Sequence, residues 1–293
     1  MSGKGSSEAR ADLALVGGTG LGRLEGLTDI EDLALDTPFG PPSAPLRLGT
    51  WHGRRIAFLA RHGAGHRLLP HEVPYRANVH ALKQLGVRKV LATGAVGSLV
   101  EELPPRALVV PDQVIDRTTR RADTFFGDGL VAHVPLGEPF APALRQVLLQ
   151  AVALAGEVAQ DGGTYIGMEG PAFSTRAESR LYRQWGGTVI GMTASTEARL
   201  MREAEIAYAS LCLVTDYDSW RPEDAPVDTA TILRVLADNA ARATAVLAAA
   251  LDLVPEGALP ENDVLPTSLL TPVERIPAEV RERLAPILAR LLT

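Results

Sequence analysis

Apolar residues fall along this chain in short runs separated by longer stretches of helical period. The run Leu13-Ala14-Leu15-Val16 passes directly into glycines, the pattern of a buried strand that ends at a turn. Residues 55–60 form a second strand candidate that closes at Arg61, and residues 89–93, 107–111, 164–167, 188–192 and 206–214 continue the series. Between them, apolar positions recur at helical spacing over residues 75–85, 140–155, 174–185, 195–205 and 228–253, the last opened by Asp/Thr cap chemistry. Strands alternating with helices predict an α/β fold, a twisted mixed but largely parallel β-sheet flanked by helices, with loops gathering at strand C-terminal ends. Residues 11–254 read as one domain without internal repeats. Residues 255–293 are proline-punctuated and finish in a helical pattern over 277–292, a C-terminal extension packing on the domain or on a neighbouring subunit.

Composition narrows the function classes. At 293 residues, 46% hydrophobic and 22% charged, the chain has ample length for a buried core and the balance of a globular protein. A net charge of -6 offers no basic field to nucleic acid or to an anionic membrane. No apolar stretch reaches the roughly 18 residues of a membrane span. Residues 1–10 are Ser/Gly-rich without an apolar centre, a disordered or extraneous start rather than a signal peptide. A cytoplasmic location is the expectation. The lone Cys212 excludes an internal disulfide framework and a multi-cysteine metal site, and its apolar setting reads as a buried, inert thiol.

Four polar segments interrupt the apolar pattern, at residues 16–20, 60–66, 168–176 and 215–218. In Gly17-Gly18-Thr19-Gly20-Leu21-Gly22-Arg23-Leu24, Arg23 stands where a dinucleotide loop needs its third glycine, and Arg23-Leu24 replaces the Lys and Ser/Thr of a P-loop. What remains is a strand-to-turn junction whose backbone N–H groups suit a free anion, or a plain tight turn. Arg61, His62 and His66 share a glycine-rich loop, where Arg61 could grip phosphate with two nitrogens or form a surface ion pair. A metal set of His62, His66 and His71 fails on spacing, because Pro74 interrupts the helix and no second His follows at the required offset. Neither Ser98 nor Ser174 lies in a nucleophile elbow, which argues against a serine hydrolase. Asp216 and Asp218 end a strand, face one side, and repel, so that one is expected to hold its proton near neutrality. Such a pair could donate to a purine ring nitrogen and accept from an exocyclic amine, or could simply cap a turn.

Taken together with Pro74-Tyr75-Arg76-Ala77-Asn78, Gly94-Ala95-Val96-Gly97-Ser98, Asp112-Gln113-Val114-Ile115-Asp116-Arg117-Thr118, Glu169-Gly170-Pro171-Ala172-Phe173-Ser174-Thr175-Arg176 and Met192-Thr193, these segments resemble the 5'-methylthioadenosine phosphorylase branch of the trimeric purine nucleoside phosphorylase family. The resemblance covers about residues 13–253. It implies a single-domain nucleoside phosphorylase fold, a homotrimer, and phosphorolysis of a small-molecule nucleoside without metal or organic cofactor, inorganic phosphate being a co-substrate. By matching positions it puts Thr19, Arg61, His62 and Thr193 on phosphate, and Phe173 and Ser174 on the base. Met192 lies under the ribose, Asp216 at purine N7 as the catalytic group, and Asp218 at the 6-amino group. Thr229, Ile232, His66, and His133 reaching in from a neighbouring subunit, line the 5' pocket. Phe173-Ser174 and the acidic pair favour adenine over 6-oxopurines.

Three positions depart from the family pattern. Gly94 stands where a phosphate-binding hydroxyl or amide is usual, Thr196 replaces a proline, and Thr229 is more polar than expected beside a methylthio group. The leading expectation is 5'-methylthioadenosine phosphorolysis. Phosphorolysis of another 5'-modified nucleoside (5'-deoxyadenosine, a 5'-halogenated analogue or 5'-methylthioinosine) is the alternative, and a non-catalytic nucleoside- or phosphate-binding protein stands as the reading from a different class.

Overall fold

The computed structural model describes residues 11–18, 21, 24–221 and 229–292. Its centre is a long strand, β5 (Lys89–Ser98), flanked on one edge by the equally long β11 (Ala207–Asp216), which runs parallel to it from Ala207↔Lys89 to Asp216↔Gly97. Burial runs through β11 from Ala207 to Thr215, which is why its sequence is apolar without alternation. The other edge of β5 is shared. β1 (Leu13–Gly17) pairs in parallel along its first part, ending at Val16↔Ala92. β10 (Gly187–Gly191) pairs antiparallel with its far end, Ile190↔Gly97 and Val189↔Ser98. Between Ala92 and Gly97 that edge has no strand partner among the described residues. The sheet forks there, leaving a crevice of the kind in which ligands sit in α/β folds.

Beyond β1 the sheet continues through β4 (Arg54–Ala60), β3 (Leu46–Trp51) and β2 (Thr28–Leu33). Beyond β10 it continues through β9 (Thr164–Gly167) to β7 (Gln113–Asp116), and β6 (Leu108–Val110) with β8 (Ala159–Asp161) lies outside β11, completing a sheet of 11 strands among the described residues. Parallel and antiparallel pairings are mixed. β2 and β7 were absent from the sequence pattern because they have no apolar face to display: β2 is exposed along almost its whole length and β7 is only half-buried.

Two apolar layers cover the sheet. On one face, α1 (Tyr75–Gln84) and α4 (Ala194–Glu203) pack together; on the other, α2 (Pro142–Leu154) packs against α5 (Thr229–Leu251) and both lie on β11. α3 (Arg176–Gln184) lies near β10. It begins with a capping box in which Thr175 Oγ1 accepts from the Glu178 N–H (3.2 Å) and Glu178 returns a bond to the Thr175 N–H (2.8 Å). Such a box contributes about 1 kcal/mol and fixes where the preceding loop must end. None of the described helices is long and apolar enough to cross a membrane.

Residues after 254 fold back onto the first layer. Leu265, Ile276, Val280, Leu284, Ile287 and Leu288 are all buried within the same cluster as α1 and α4. Asn262 ties the segment down, its Nδ2 donating to the carbonyls of Arg88 (2.8 Å) and Glu205 (2.9 Å). The helix expected over 277–292 is instead broken into α6 (Ala278–Arg283), α7 (Ala285–Leu288) and a final 3-10 turn. Pro286 has no N–H to continue the ladder of α6. Residues 1–10 lie outside the described residues.

Candidate active site

Arg61 closes β4 and enters the fork with its side chain fully buried. Its Nε and Nη2 donate to the two carboxylate oxygens of Glu197 on α4 (2.5 and 2.9 Å), and Nη1 donates to the Thr93 carbonyl in the stretch of β5 whose β1/β10 edge is open (2.9 Å). Tyr208 on β11 donates its hydroxyl to the same carboxylate at 2.7 Å. Burial opposes the guanidinium charge, but Glu197 outweighs it, so the Arg61 pKa rises and the charge is fixed. The sequence expectation of a two-nitrogen grip on phosphate is narrowed by this geometry. Three of the five guanidinium N–H groups are engaged, leaving one on Nη1 and one on Nη2 for an anion. Glu197 was not foreseen, because an acid within a polar helical run looks like a solvated face until the fold turns it inward.

His62 follows, stacked on His66 with ring centroids 4.3 Å apart. Burial, then the neighbouring Arg61 charge, pushes the His62 pKa down to about 4, against the opposing hydrogen bond to Leu68. The ring is therefore neutral at neutral pH, and its Nδ1–H donates to the Leu68 carbonyl at 2.9 Å. Nε2 is left as an acceptor, suited to a phosphate oxygen that carries hydrogen. His66 is exposed at a positive φ of 55°. Thr193 is buried at the start of α4, its N–H directed at the Tyr165 hydroxyl (3.2 Å). The Gly18 N–H meets Thr93 Oγ1 at 3.5 Å, bringing the β1 exit to the same point. Thr19 lies outside the described residues.

The acidic pair stands at the far end of the same β5 stretch. Asp216 is the last residue of β11; its carboxylate accepts from the Thr215 hydroxyl (2.6 Å) and the Asp218 backbone N–H (2.7 Å). Asp218 is buried in a turn at φ 51°, so the strand geometry expected for the pair stops at Asp216. Both nevertheless face Gly97. A Cβ placed there would lie 3.1 Å from Asp216 Oδ1 and 3.2 Å from Asp218 Cβ, so the close approach favours glycine. The sequence led to the expectation of one raised pKa; both are raised, and for a different main reason. Burial is the largest cause in each case, and repulsion by Asp218 is the weakest of the influences on Asp216. The hydroxyls of Ser179 and Ser174 and the Ser219 N–H draw Asp218 back toward the ionised form.

Phe173 is exposed and Ser174 buried, at the end of the loop that leads into α3. Met192, at the exit of β10, is half-buried and presses its sulfur toward Gly170. His133 is exposed, its N–H bound to the Ser268 carbonyl of the folded-back C-terminal segment (2.9 Å), and no bond joins it to the Arg61 or Asp216 groups of its own chain among the described residues. Thr229 and Ile232 lie on the first turns of α5, and their side chains are outside the described residues. Cys212 is fully buried with its thiol pKa pushed up to about 12 by burial, an inert group.

The phosphorylase superfamily profile matches residues 12–252. The chain belongs to that superfamily. It is 49% identical to the S-methyl-5'-thioadenosine phosphorylase of Synechocystis sp., over 98% of this chain and 90% of that one. It is 47% identical to the enzyme of the same name from Koribacter versatilis, over 96% of this chain and 97% of that one. Among solved structures, a methylthioadenosine phosphorylase from an antarctic soil metagenomic library superposes with a TM-score of 0.91 at 45% identity, covering 96% of this chain and 99% of the other. The Schistosoma mansoni methylthioadenosine phosphorylase in complex with adenine superposes with a TM-score of 0.79 at 30% identity, covering 96% and 98%. Within a phosphorylase the forked strand acquires a direction, a fixed positive charge at Thr93 and a pair of carboxyls with burial-raised pKa at Gly97.

Proposed function

We propose that this chain catalyses the phosphorolysis of 5'-methylthioadenosine, giving adenine and 5-methylthio-α-D-ribose 1-phosphate. The observation that carries the reading is the pairing of the buried Arg61 guanidinium with the burial-raised Asp216 carboxyl on one stretch of β5. The relatives' names supply the substrate. Phosphate bound by the two remaining N–H groups of Arg61, with Thr193 and His62, attacks C1' of the ribose. The C1'–N9 bond breaks, its electron pair passes to the purine, and Asp216 delivers a proton to N7 as the new C1'–O bond forms. Because phosphate is already anionic, the protein contributes chiefly positioning and electrostatic stabilisation of a cationic ribosyl group. Phe173 covers the base, Met192 underlies the ribose and Asp218 accepts from the 6-amino group. A homotrimer acting in the cytoplasm belongs to the same proposal, His133 reaching the 5' pocket of a neighbour.

The test is base release from 5'-methylthioadenosine, 5'-deoxyadenosine, a 5'-halo-5'-deoxyadenosine, adenosine and 5'-methylthioinosine, each with and without phosphate. Phosphate-dependent adenine release led by methylthioadenosine is the expected result. A lead for another 5' group would keep the mechanism and move the substrate, and base release without phosphate would refute the mechanism.

A further inference from the structure

One cation ties together the segments that carry Phe173 and Met192. Arg121 lies on the chain after β7, its side chain only 1% exposed, and each of its nitrogens is engaged. Nε donates to Glu169 Oε1 (2.8 Å), and Nη2 donates to the carbonyls of Glu169 (2.9 Å) and Met168 (3.2 Å). Nη1 donates to the Met192 carbonyl (2.5 Å), the Tyr75 hydroxyl (3.0 Å) and Thr196 Oγ1 (3.1 Å). The other oxygen of Glu169 accepts from the backbone N–H groups of Thr119 (2.6 Å) and Arg120 (2.9 Å), so the acid returns the grip onto the segment that carries the arginine. Gly170 lies hard against Met192, a Cβ there falling 2.6 Å from its sulfur. The acceptors of Arg121 therefore lie on two separate segments, the 168–170 loop that leads to Phe173 and the β10 exit at Met192.

We propose that the Arg121–Glu169 pair is a positioning device that sets the spacing between the Phe173 loop and Met192, and so governs nucleoside binding without touching substrate. The inference rests on the assignment of Phe173 to the base and Met192 to the ribose. A planar five-donor fork is what holds carbonyls from two separate segments at once; lysine, a single point charge, cannot reproduce it. Glu169 stays ionised: burial alone would raise its pKa, but the Thr119 and Arg120 N–H groups and Arg121 bring it down to about 2. Phosphate is assigned to Arg61 and its neighbours, of which Thr193 adjoins the clamped Met192, so phosphate binding should change less than nucleoside binding.

The variants are Arg121→Lys and Glu169→Gln, assayed for KM of nucleoside and of phosphate separately, with adenine binding by calorimetry and Tm alongside. The expected result is a rise of about ten-fold or more in nucleoside KM and adenine Kd for Arg121→Lys. A smaller rise is expected for Glu169→Gln, with phosphate KM within about two-fold of wild type for both. The double variant should lose little beyond Arg121→Lys, because the two residues act as one unit. Unchanged nucleoside KM in both variants would overturn the proposal. So would both KM values rising together with a falling Tm, the signature of general loosening. Failure of the underlying assignment is seen separately, in wild-type protein that neither binds adenine nor releases it.

Discussion

Arg61 and Asp216 are anchored four residues apart on β5, at Thr93 and Gly97, about 13 Å of strand, and burial acts on them in opposite senses. For the guanidinium it disfavours the charge, yet Glu197 sits within 2.5 Å and the charge is retained. For the carboxyl it favours the proton, and among the described residues no cation contributes to its shift. The same desolvation thus leaves a fixed charge where a counter-ion is supplied and biases a carboxyl toward a transferable proton where none is. A phosphorolysis needs both, a constant positive field for the incoming anion and a proton for the departing base.

The largest effect should come from removing the transferable proton. Asp216→Asn is expected to lower kcat for adenine release by about 10²–10⁴-fold, the range of a general acid, with little change in phosphate KM. The raised Asp216 pKa also gives a sign to the pH profile. The acid form is present below that pKa and lost above it, so kcat should fall on an alkaline limb, and the limb should vanish in Asp216→Asn. Retention of both rate and limb would separate Asp216 from the chemistry and dissolve the contrast with Arg61.

Next is the fixed charge. Glu197→Gln leaves the buried guanidinium without its counter-ion, and breaking such a pair costs about 3–5 kcal/mol. Urea unfolding should show the loss as a lower midpoint at unchanged slope. An unaltered midpoint would mean that Arg61 holds its charge without Glu197, and the two ends would then differ for some other reason.

Much of this contrast was visible in the sequence, because it sits where strand patterns end. Arg61 closes an apolar run, Asp216 closes the longest one, and Met192-Thr193 joins a strand to a helix. What the pattern did not carry was choice of partner. Glu197, Arg121 and Glu169 read as polar residues in polar surroundings, and only tertiary placement turns each inward onto one particular charge. Tyr208 was hidden in the opposite way, inside an apolar strand where its hydroxyl had no evident acceptor. The edge strand β2 failed for want of a buried face, and the closing helix was over-extended because its period continues through Pro286. The acidic pair was found with the right direction of shift and the wrong main cause, since strand periodicity suggests neighbours that repel but says nothing of burial.

A subtler change bears on the other carboxyl. Asp218 is kept in check by Ser179, the Ser219 N–H and Ser174. Asp218→Asn replaces an acceptor with a group that can also donate, which suits a 6-oxo substituent. The ratio of activity on 5'-methylthioadenosine to that on 5'-methylthioinosine is expected to fall about ten-fold, the worth of one charged hydrogen bond. A ratio that stays put would remove Asp218 from base recognition while leaving Asp216 in place.

The smallest change adds a group to the Arg61 end. Gly94 lies in the stretch of β5 whose β1/β10 edge is open, next to the Thr93 carbonyl that Arg61 holds, and a Cβ there would meet nothing within 4 Å. A serine fits without displacing a neighbour, and the strand conformation is one that any residue adopts. Its hydroxyl would add one neutral donor beside a guanidinium that has two N–H groups to offer. Gly94→Ser should therefore lower phosphate KM by roughly 2–10-fold, the net value of one hydrogen bond, and leave nucleoside KM and the alkaline limb unchanged. If nucleoside KM moves and phosphate KM does not, the anion does not lie beside Thr93. The fixed charge would then face the ribose, and the two ends of the crevice would have to exchange roles.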